Sequence, residues 1–189
     1  MARLYVIQRG RTAWDDQGRM ENLAGVSLSP QGAQEIHRLC TELAGRDVKV
    51  IYTSPVEAEQ QSAKMLGEAL RLRIRHDADL AGVDYGLWQG LTGQDIRRGD
   101  ARLYRHWLSR PAQVRPPGGE TLGQTQQRLC GAVGGICRRH RRQGVLLVLG
   151  PVAVALLRAA MEHVELDRLW ELVQPAASWS SYDTDGQFS

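Results

Sequence analysis

The sequence predicts an α/β protein, a three-layer α/β/α sandwich with a mostly parallel central sheet. Short apolar runs of strand character alternate with longer segments of helical periodicity, which is the order typical of parallel sheets covered by helices on both faces. The 189 residues and the 42% hydrophobic composition suit one α/β core. No internal repeat or low-complexity segment interrupts the alternation. We therefore expect a single domain over residues 1–189.

The first half of the chain predicts two pairs of a strand and a helix. The segment LYVIQRGRT, residues 4–12, is a strand that ends at a glycine flanked by two arginines. Ser29 and Pro30 suit the N-cap and the first position of a helix that ends at Gly45. Residues 48–55, VKVIYTSP, predict a buried strand, and residues 56–70 predict the helix that follows it.

The rest of the chain predicts three further strands and an insertion. Residues 72–80 contain a short strand, and residues 84–120 predict a cap that ends in a Pro-Gly turn. A long helix over 121–142 is expected despite three internal glycines, each of which weakens a helix by about 1 kcal/mol relative to alanine. The run VLLVLG predicts a buried strand, residues 151–164 a helix, and residues 177–183 a final edge strand.

Composition excludes several classes of function. The net charge is only +3, and the basic run RRHRRQG at a helix end favours a solvated last turn over a nucleic-acid site. The three cysteines form no C-x-x-C pair, so neither a disulfide framework nor a zinc site is indicated. No apolar run is long enough to span a bilayer. We therefore expect a cytoplasmic protein with no cofactor, no metal, and neither nucleic acid nor membrane as a partner.

Five short motifs stand in the order that a known family shows. LYVIQRGRT, LSPQGAQE and IYTSPVEAEQQSA are followed by LAGVDYGLWQGLT and PPGGET, and the strand VLLVLGPVAVALL closes the set. Together they resemble the motifs of the histidine phosphatase superfamily, over roughly residues 3–183. The resemblance implies the phosphoglycerate mutase-like fold, with the cap insertion at about 84–120.

The resemblance also implies a reaction that this sequence is not equipped to perform. In the family, one histidine attacks phosphorus, arginines and a second histidine hold the phosphoryl oxygens, and a carboxylic acid protonates the leaving group. The nucleophile falls on Arg9, whose guanidinium stays protonated and cannot attack. We therefore expect no phosphatase or mutase activity and no catalytic residue. The replaced positions are Gln8, Arg9, Ala58, Gly82 and Gly150.

No histidine elsewhere is well placed to substitute for the lost nucleophile. His106, in the predicted cap, is the best candidate of the five. A flexible cap positions nucleophiles poorly, and catalysis is sensitive to small misplacements. The sequence therefore favours a packing or solvent-exposed role for His106.

The residues around the lost nucleophile leave three interpretations of the pocket open. Two arginines after the first strand suit an anionic or phosphorylated ligand. Alternatively, Arg9 pairs with Glu57, Glu59 or Asp84 and closes the pocket as an ion-pair plug. The third interpretation is an enzyme of different chemistry, with Asp84, Tyr85, Glu57 or Glu120 as acid or base. The candidate ligand-binding residues are Gln8, Arg9, Arg11, Glu57, Glu59, Asp84 and Tyr85.

For a protein of this fold that lacks phosphohistidine chemistry, we expect a regulatory or scaffolding role. An open basic pocket would suit a ligand sensor, and a closed pocket would suit a structural partner that exposes an apolar patch. The resemblance implies a phosphorylated sugar, acid or nucleotide-related compound as ligand, and a homodimer or a complex with an active relative as assembly.

Overall fold

Strands and helices alternate along the computed structural model, which describes residues 3–22 and 25–183. The strands are β1 (Arg3–Gln8), β2 (Val48–Thr53), β3 (Arg73–His76), β4 (Gly144–Leu149) and β5 (Trp179–Asp183). The helices are α1 (Ala13–Asp16), α2 (Pro30–Leu43), α3 (Glu57–Leu70), α4 (Gly93–Gly99), α5 (Ala101–Ser109), α6 (Leu122–Arg139) and α7 (Pro151–Met161). Short 3-10 helices span Ala78–Leu80, Gly86–Trp88, Pro111–Gln113 and Leu166–Glu171.

The five described strands form one mixed sheet in the order β3-β2-β4-β1-β5. Strands β1 to β4 run parallel to one another, and β5 pairs antiparallel with β1 at the edge. The predicted fold class is confirmed. Gln8 lies beside Leu149, and Thr53 beside Val148. The carboxyl ends of β1, β2 and β4 therefore meet at one edge of the sheet, where ligand sites of such sheets form.

Helices cover both faces of the sheet, which explains why the central strands are continuously apolar. On one face, Tyr5 and Ile7 of β1 pack in a cluster with Ile36 of α2 and Leu66 of α3. On the other face, the alternate residues of β1 join a larger cluster with α6, α7 and the 84–120 segment. The sequence pattern of the strands thus matches burial on both sides.

The segment between β3 and α6 packs on the sheet through aromatic side chains. The ring of Trp107, on α5, contacts Tyr85 at 6.2 Å, Trp88 at 5.6 Å and Trp170 at 5.0 Å between centroids. Trp170 Nε1 also donates to the carbonyl oxygen of Trp107 at 2.9 Å. This cluster holds α5 over the carboxyl edge of the sheet. The exact bounds of a cap at about 84–120, and a single domain over 1–189, stay predictions.

No helix in the described ranges combines the length and the apolar character that crossing a bilayer requires.

Strand β5 is the last strand of the sheet, so one of its edges has no neighbouring strand in the described structure. A homodimer formed through this edge stays a prediction.

Two glycines fix the turn after β1 against the start of α2. A Cβ added to Gly10 would lie 2.3 Å from the carbonyl oxygen of Gly32, and a Cβ added to Gly32 would lie 2.1 Å from that of Arg11. Both obstacles are backbone atoms, which rotamer changes cannot move. The glycines of the first two motifs therefore have a packing role that does not depend on catalysis.

Replacement of Gly32 by alanine is expected to lower the free energy of unfolding by about 2 kcal/mol, the cost typical of forced overpacking. Gly131 is the matched control, because it is also helical and a Cβ there meets nothing within 4 Å. Gly131→Ala should raise stability by up to about 1 kcal/mol. Urea unfolding followed by circular dichroism measures both. Equal stability of the two variants would contradict the close approach.

Candidate functional site

A cavity of about 620 Å³ opens at the carboxyl edge of the sheet, within the size range of small-molecule sites. Its lining comes from the turn after β1, the first turns of α3 and α7, the 84–120 segment and the chain before β5. Two parts of the lining differ in chemistry. We call the polar group Gln8, Arg9, Asp15, Glu21 and Glu59 the polar floor. We call the rings of Tyr85, Tyr104, Trp107 and Trp170 the aromatic wall.

Arg9 lies at the centre of the polar floor and is only 2% exposed. Its Nη1 donates to Asp15 Oδ2 at 2.6 Å and its Nη2 to Asp15 Oδ1 at 3.1 Å, the forked geometry of a strong ion pair. Glu21 Oε1 lies 3.3 Å from Nη2. Burial lowers the pKa of Arg9, but Asp15, Glu21 and Glu59 raise it by more, so that it stays above its ordinary value. Arg9 is therefore a permanent cation.

The ion-pair partners of Arg9 differ from those that the plug interpretation named. Neither Glu57 nor Asp84 pairs with Arg9 in the described part of the chain, and Glu59 acts on Arg9 through its charge without a salt bridge. The pairing also leaves the cavity open, because Asp15 and Glu21 approach Arg9 from the chain that follows β1. Of the interpretations that the sequence left open, the plug through Glu57, Glu59 or Asp84 is not the arrangement found in the described residues.

Asp15 is held in place by the short helix α1. Thr12 is its N-cap: the Thr12 hydroxyl accepts from the Asp15 N–H at 3.2 Å, and Asp15 Oδ2 accepts from the Thr12 N–H at 2.8 Å. This is a reciprocal capping box. The pattern Thr-x-x-Asp at residues 12–15 is visible in the sequence and would have revealed Asp15.

No local sequence pattern of this kind identifies Glu21 as a residue of the cavity. Its side chain is 2% exposed, and its Oε2 accepts from the Thr12 hydroxyl at 2.5 Å. Burial raises the pKa of Glu21, although the charge of Arg9 and the Thr12 hydrogen bond oppose the rise. Its Oε1 receives no hydrogen bond.

Glu59, in the first turn of α3, is also buried, and no cation lies within salt-bridge distance of it among the described residues. One of its oxygens accepts from the Ser54 hydroxyl, and the N–H of Gly150 donates to the same carboxyl group. Burial raises the pKa of Glu59 to about 7, although Ser54, Arg9 and Gly150 oppose the rise. A Cβ on Gly150 would lie 2.9 Å from Glu59 Oε1. The carboxyl group therefore fills the space beside the position where the resemblance implies the second histidine.

The remaining predicted residues divide between the cavity and other surfaces. Arg11 lines the cavity, but its Nε pairs with Glu35 at 2.8 Å and its Nη1 with Asp16 at 3.6 Å. Tyr85 belongs to the aromatic wall, and burial raises its pKa far above its ordinary value, so it is no proton donor near neutral pH. The cavity thus contains five of the seven predicted residues: Gln8, Arg9, Arg11, Glu59 and Tyr85.

Glu57 and Asp84 lie outside the cavity, and their predicted place in it was wrong. Glu57 Oε1 accepts from Gln61 Nε2 at 2.7 Å, one turn along α3. Asp84 is exposed and accepts from the N–H of Gly86, whereas Glu120 pairs with Arg128 at 2.5 Å in a separate recess. None of these three carboxylates is therefore placed for acid or base chemistry in the cavity.

No histidine lines the cavity, and all five lie within the described residues. His106 is exposed on α5, in agreement with the role that the sequence favours for it. His140 Nε2 is 3.0 Å from the Tyr52 hydroxyl, at the end of α6. His37, His76 and His163 are exposed.

The cavity is also less basic than the sequence predicts. Three arginines line it, Arg9, Arg11 and Arg19, against four carboxyl groups, Asp15, Asp16, Glu21 and Glu59. Sequence reasoning missed Asp15, Asp16, Arg19 and Glu21 because it considered only positions that align with the family's motifs.

Comparison with known proteins identifies relatives along nearly the whole chain. The family model described as "Histidine phosphatase superfamily (branch 1)" matches residues 4–188. Phosphoserine phosphatase 1 of Hydrogenobacter thermophilus is 27% identical over 180 residues, which is 95% of this chain and 85% of that protein.

Solved structures agree with this match. The structure titled Bacillus stearothermophilus YhfR superposes with a TM-score of 0.93 at 29% identity, covering 99% of this chain and 93% of that one. Mycobacterial glucosyl-3-phosphoglycerate phosphatase superposes with a TM-score of 0.84 at 25% identity, covering 95% and 88% of the two chains.

Proposed function

The chain belongs to branch 1 of the histidine phosphatase superfamily, and from that premise we propose that it is a pseudophosphatase, a member that binds a small ligand without transferring a phosphoryl group. The observation that carries this proposal is the state of Arg9. The residue at the position of the family's nucleophile is a buried cation, locked by Asp15 in a forked ion pair. A group in this state offers phosphorus no lone pair.

Apart from carboxylates and tyrosines, the described lining of the cavity offers no replacement nucleophile. Its lining contains no histidine, cysteine, serine, threonine or lysine among the described residues. The carboxylate of Asp15 is held by Arg9 and by the N-cap of α1, which removes the freedom that an attacking group needs. Phosphoryl transfer therefore has neither its nucleophile nor its second histidine.

The charge of the polar floor also disfavours an anionic ligand there. The positive charge of Arg9 is already matched by Asp15, and Glu21 and Glu59 lie beside it. A phosphate dianion on the floor would meet these carboxyl groups, and no described residue of the floor supplies an unpaired cation to compensate. We therefore keep the predicted regulatory or scaffolding role, through a ligand or a protein partner, but not the phosphorylated ligand.

One observation favours a second candidate, an enzyme with different chemistry in the same cavity. A carboxyl group with a pKa of about 7, as in Glu59, suits general acid or base catalysis near neutral pH. This candidate predicts that a bound ligand is chemically altered, whereas the pseudophosphatase releases it unchanged. Mass spectrometry of the recovered ligand distinguishes the two.

The decisive experiment is phosphate release from phosphoserine and p-nitrophenyl phosphate, beside phosphoserine phosphatase 1 of Hydrogenobacter thermophilus at the same concentration. We expect a rate at least about 10⁴-fold below that control, because the nucleophile is absent. Arg9→Lys, purified in the same way, should give the same residual rate and so reports contamination. Phosphate release well above the Arg9→Lys rate, with an acid-labile phosphoenzyme trapped on quenching, would overturn the proposal.

A further inference from the structure

We propose that the cavity binds a small organic cation, an amine whose ammonium group lies on the polar floor and whose apolar body packs on the aromatic wall. The inference rests on the proposed function, because it assigns a ligand class to the cavity that no longer serves phosphoryl transfer. Three independent features of the lining support it: its charge, its unpaired acceptors and its rings.

When its carboxyl groups are ionised, the charge of the floor is unbalanced toward the negative. One guanidinium, that of Arg9, faces the three carboxyl groups of Asp15, Glu21 and Glu59. Asp15 takes both terminal nitrogens of Arg9, and Glu59 has no salt-bridge partner in the described part of the chain. An ammonium group would supply the cation that Glu59 lacks.

The arginines nearer the opening do not correct this imbalance. Arg11 is held by Glu35 and Asp16. Arg19 donates to the carbonyl oxygen of Gly90 at 2.6 Å and to Gln17 at 2.6 Å, away from the floor. Neither guanidinium is paired with Glu21 or Glu59.

Two buried acceptor atoms on the floor receive no hydrogen bond. Gln8 is 2% exposed, and its Nε2 donates to the carbonyl oxygens of Gln174 and Ala176, but its Oε1 has no partner. Glu21 Oε1 also receives no hydrogen bond, although the guanidinium of Arg9 lies 3.3 Å from it as an ion-pair partner. Buried acceptors normally find a donor. An ammonium group brings three N–H donors, whereas a phosphate dianion brings none.

The aromatic wall supplies the surface for the rest of the ligand. Tyr85 and Trp107 are almost fully buried, and Tyr104 and Trp170 are half-buried at the cavity side. Aromatic faces bind both apolar groups and cations. Leu108, 54% exposed, extends this apolar surface at the opening. A ring joined to an amine by a short chain matches both parts of the lining.

The test uses three probes that share a phenyl ring and differ in the charge of the attached group: phenethylamine, 2-phenylethanol and phenyl phosphate. Calorimetric titration of the wild-type protein at pH 8, where Glu59 is ionised, should show phenethylamine binding at least tenfold more tightly than the alcohol. Phenyl phosphate should not bind. Binding of the phosphate ester as tightly as the amine, or no amine binding at millimolar concentration, overturns the inference.

Two variants locate the binding. Glu59→Gln should weaken phenethylamine at least tenfold and leave the alcohol within twofold. Glu57→Gln is the matched control, since it removes a carboxylate from the same helical turn outside the cavity, and it should leave both affinities within twofold. Equal weakening by both variants, or by neither, overturns the assignment to the floor.

A measurement on the wild type alone covers the case in which Glu59→Gln fails to fold. Amine binding near pH 7 should release part of a proton as Glu59 ionises beside Arg9 and Glu21, seen as a binding enthalpy that depends on the buffer. No proton release would count against the inference. Phosphate released from phenyl phosphate in the same samples would instead refute the proposed function, so the two failures are distinguishable.

Discussion

Replacement of Arg9 by methionine is expected to lower the free energy of unfolding by about 4 kcal/mol at pH 8, the range found when one partner of a buried ion pair is removed. Methionine keeps much of the side-chain volume but leaves Asp15, Glu21 and Glu59 close together without a cation. At pH 5 the deficit should shrink, because Glu21 and Glu59 bind protons more readily than ordinary glutamates. Urea unfolding at the two pH values measures both effects.

Arg11→Met is the control for this experiment. Arg11 also pairs with two carboxylates, but its side chain is 28% exposed, so solvent screens the pairs and the loss should be about 1 kcal/mol or less. A stability of Arg9→Met equal to that of the wild type at pH 8 would show that Arg9 does not neutralise the polar floor.

The second large effect is on pH dependence: the free energy of unfolding of the wild type should fall as the pH rises from 5 to 8. Burial raises the pKa of Glu59 from its ordinary 4.5 to about 7, so in this range the folded protein holds a proton that the unfolded chain releases. Stability then decreases with pH and levels off above 7. The shift corresponds to roughly 3 kcal/mol. The raised pKa of Glu21 acts in the same direction.

Glu59→Gln isolates this contribution, because glutamine has nearly the same shape and does not titrate. Its stability should resemble that of the wild type at pH 5, exceed it at pH 8, and vary less between the two. Glu57→Gln should keep the wild-type pH profile. Parallel profiles for the wild type and Glu59→Gln would mean that Glu59 is ionised in the folded protein throughout this range.

Local sequence was sufficient to predict which strand end and which helix contribute residues to the cavity. Gln8 and Arg9 could be placed because a glycine follows an apolar strand, and parallel strands bring such ends to one edge. Glu59 could be placed because it follows the motif position Ala58 on a helix that begins at that edge. Periodicity and turn residues determine these positions, and both are local properties.

The contacts that decide the chemistry depend on distant parts of the chain. Glu21 reaches Arg9 from a connection without regular periodicity, and Trp107 meets Trp170 from 63 residues away. The sequence offered Glu57, Glu59 and Asp84 as partners for Arg9 because they lie near the motifs. Asp15, which the local capping box at residues 12–15 positions, and Glu21, which only packing positions, pair with it instead.

The contact between Glu59 and Gly150 has a consequence for the history of the chain. Any side chain at position 150 would begin 2.9 Å from Glu59 Oε1, in a buried space already filled. A histidine regained at that position would have to displace the carboxyl group, and a smaller residue gained first at position 59 would leave Arg9 with an altered balance of charge. Neither single change restores both the nucleophile and the second histidine, so on the proposed function a return to the family's chemistry requires several replacements together, and selection acting on one mutation at a time is expected to maintain the loss.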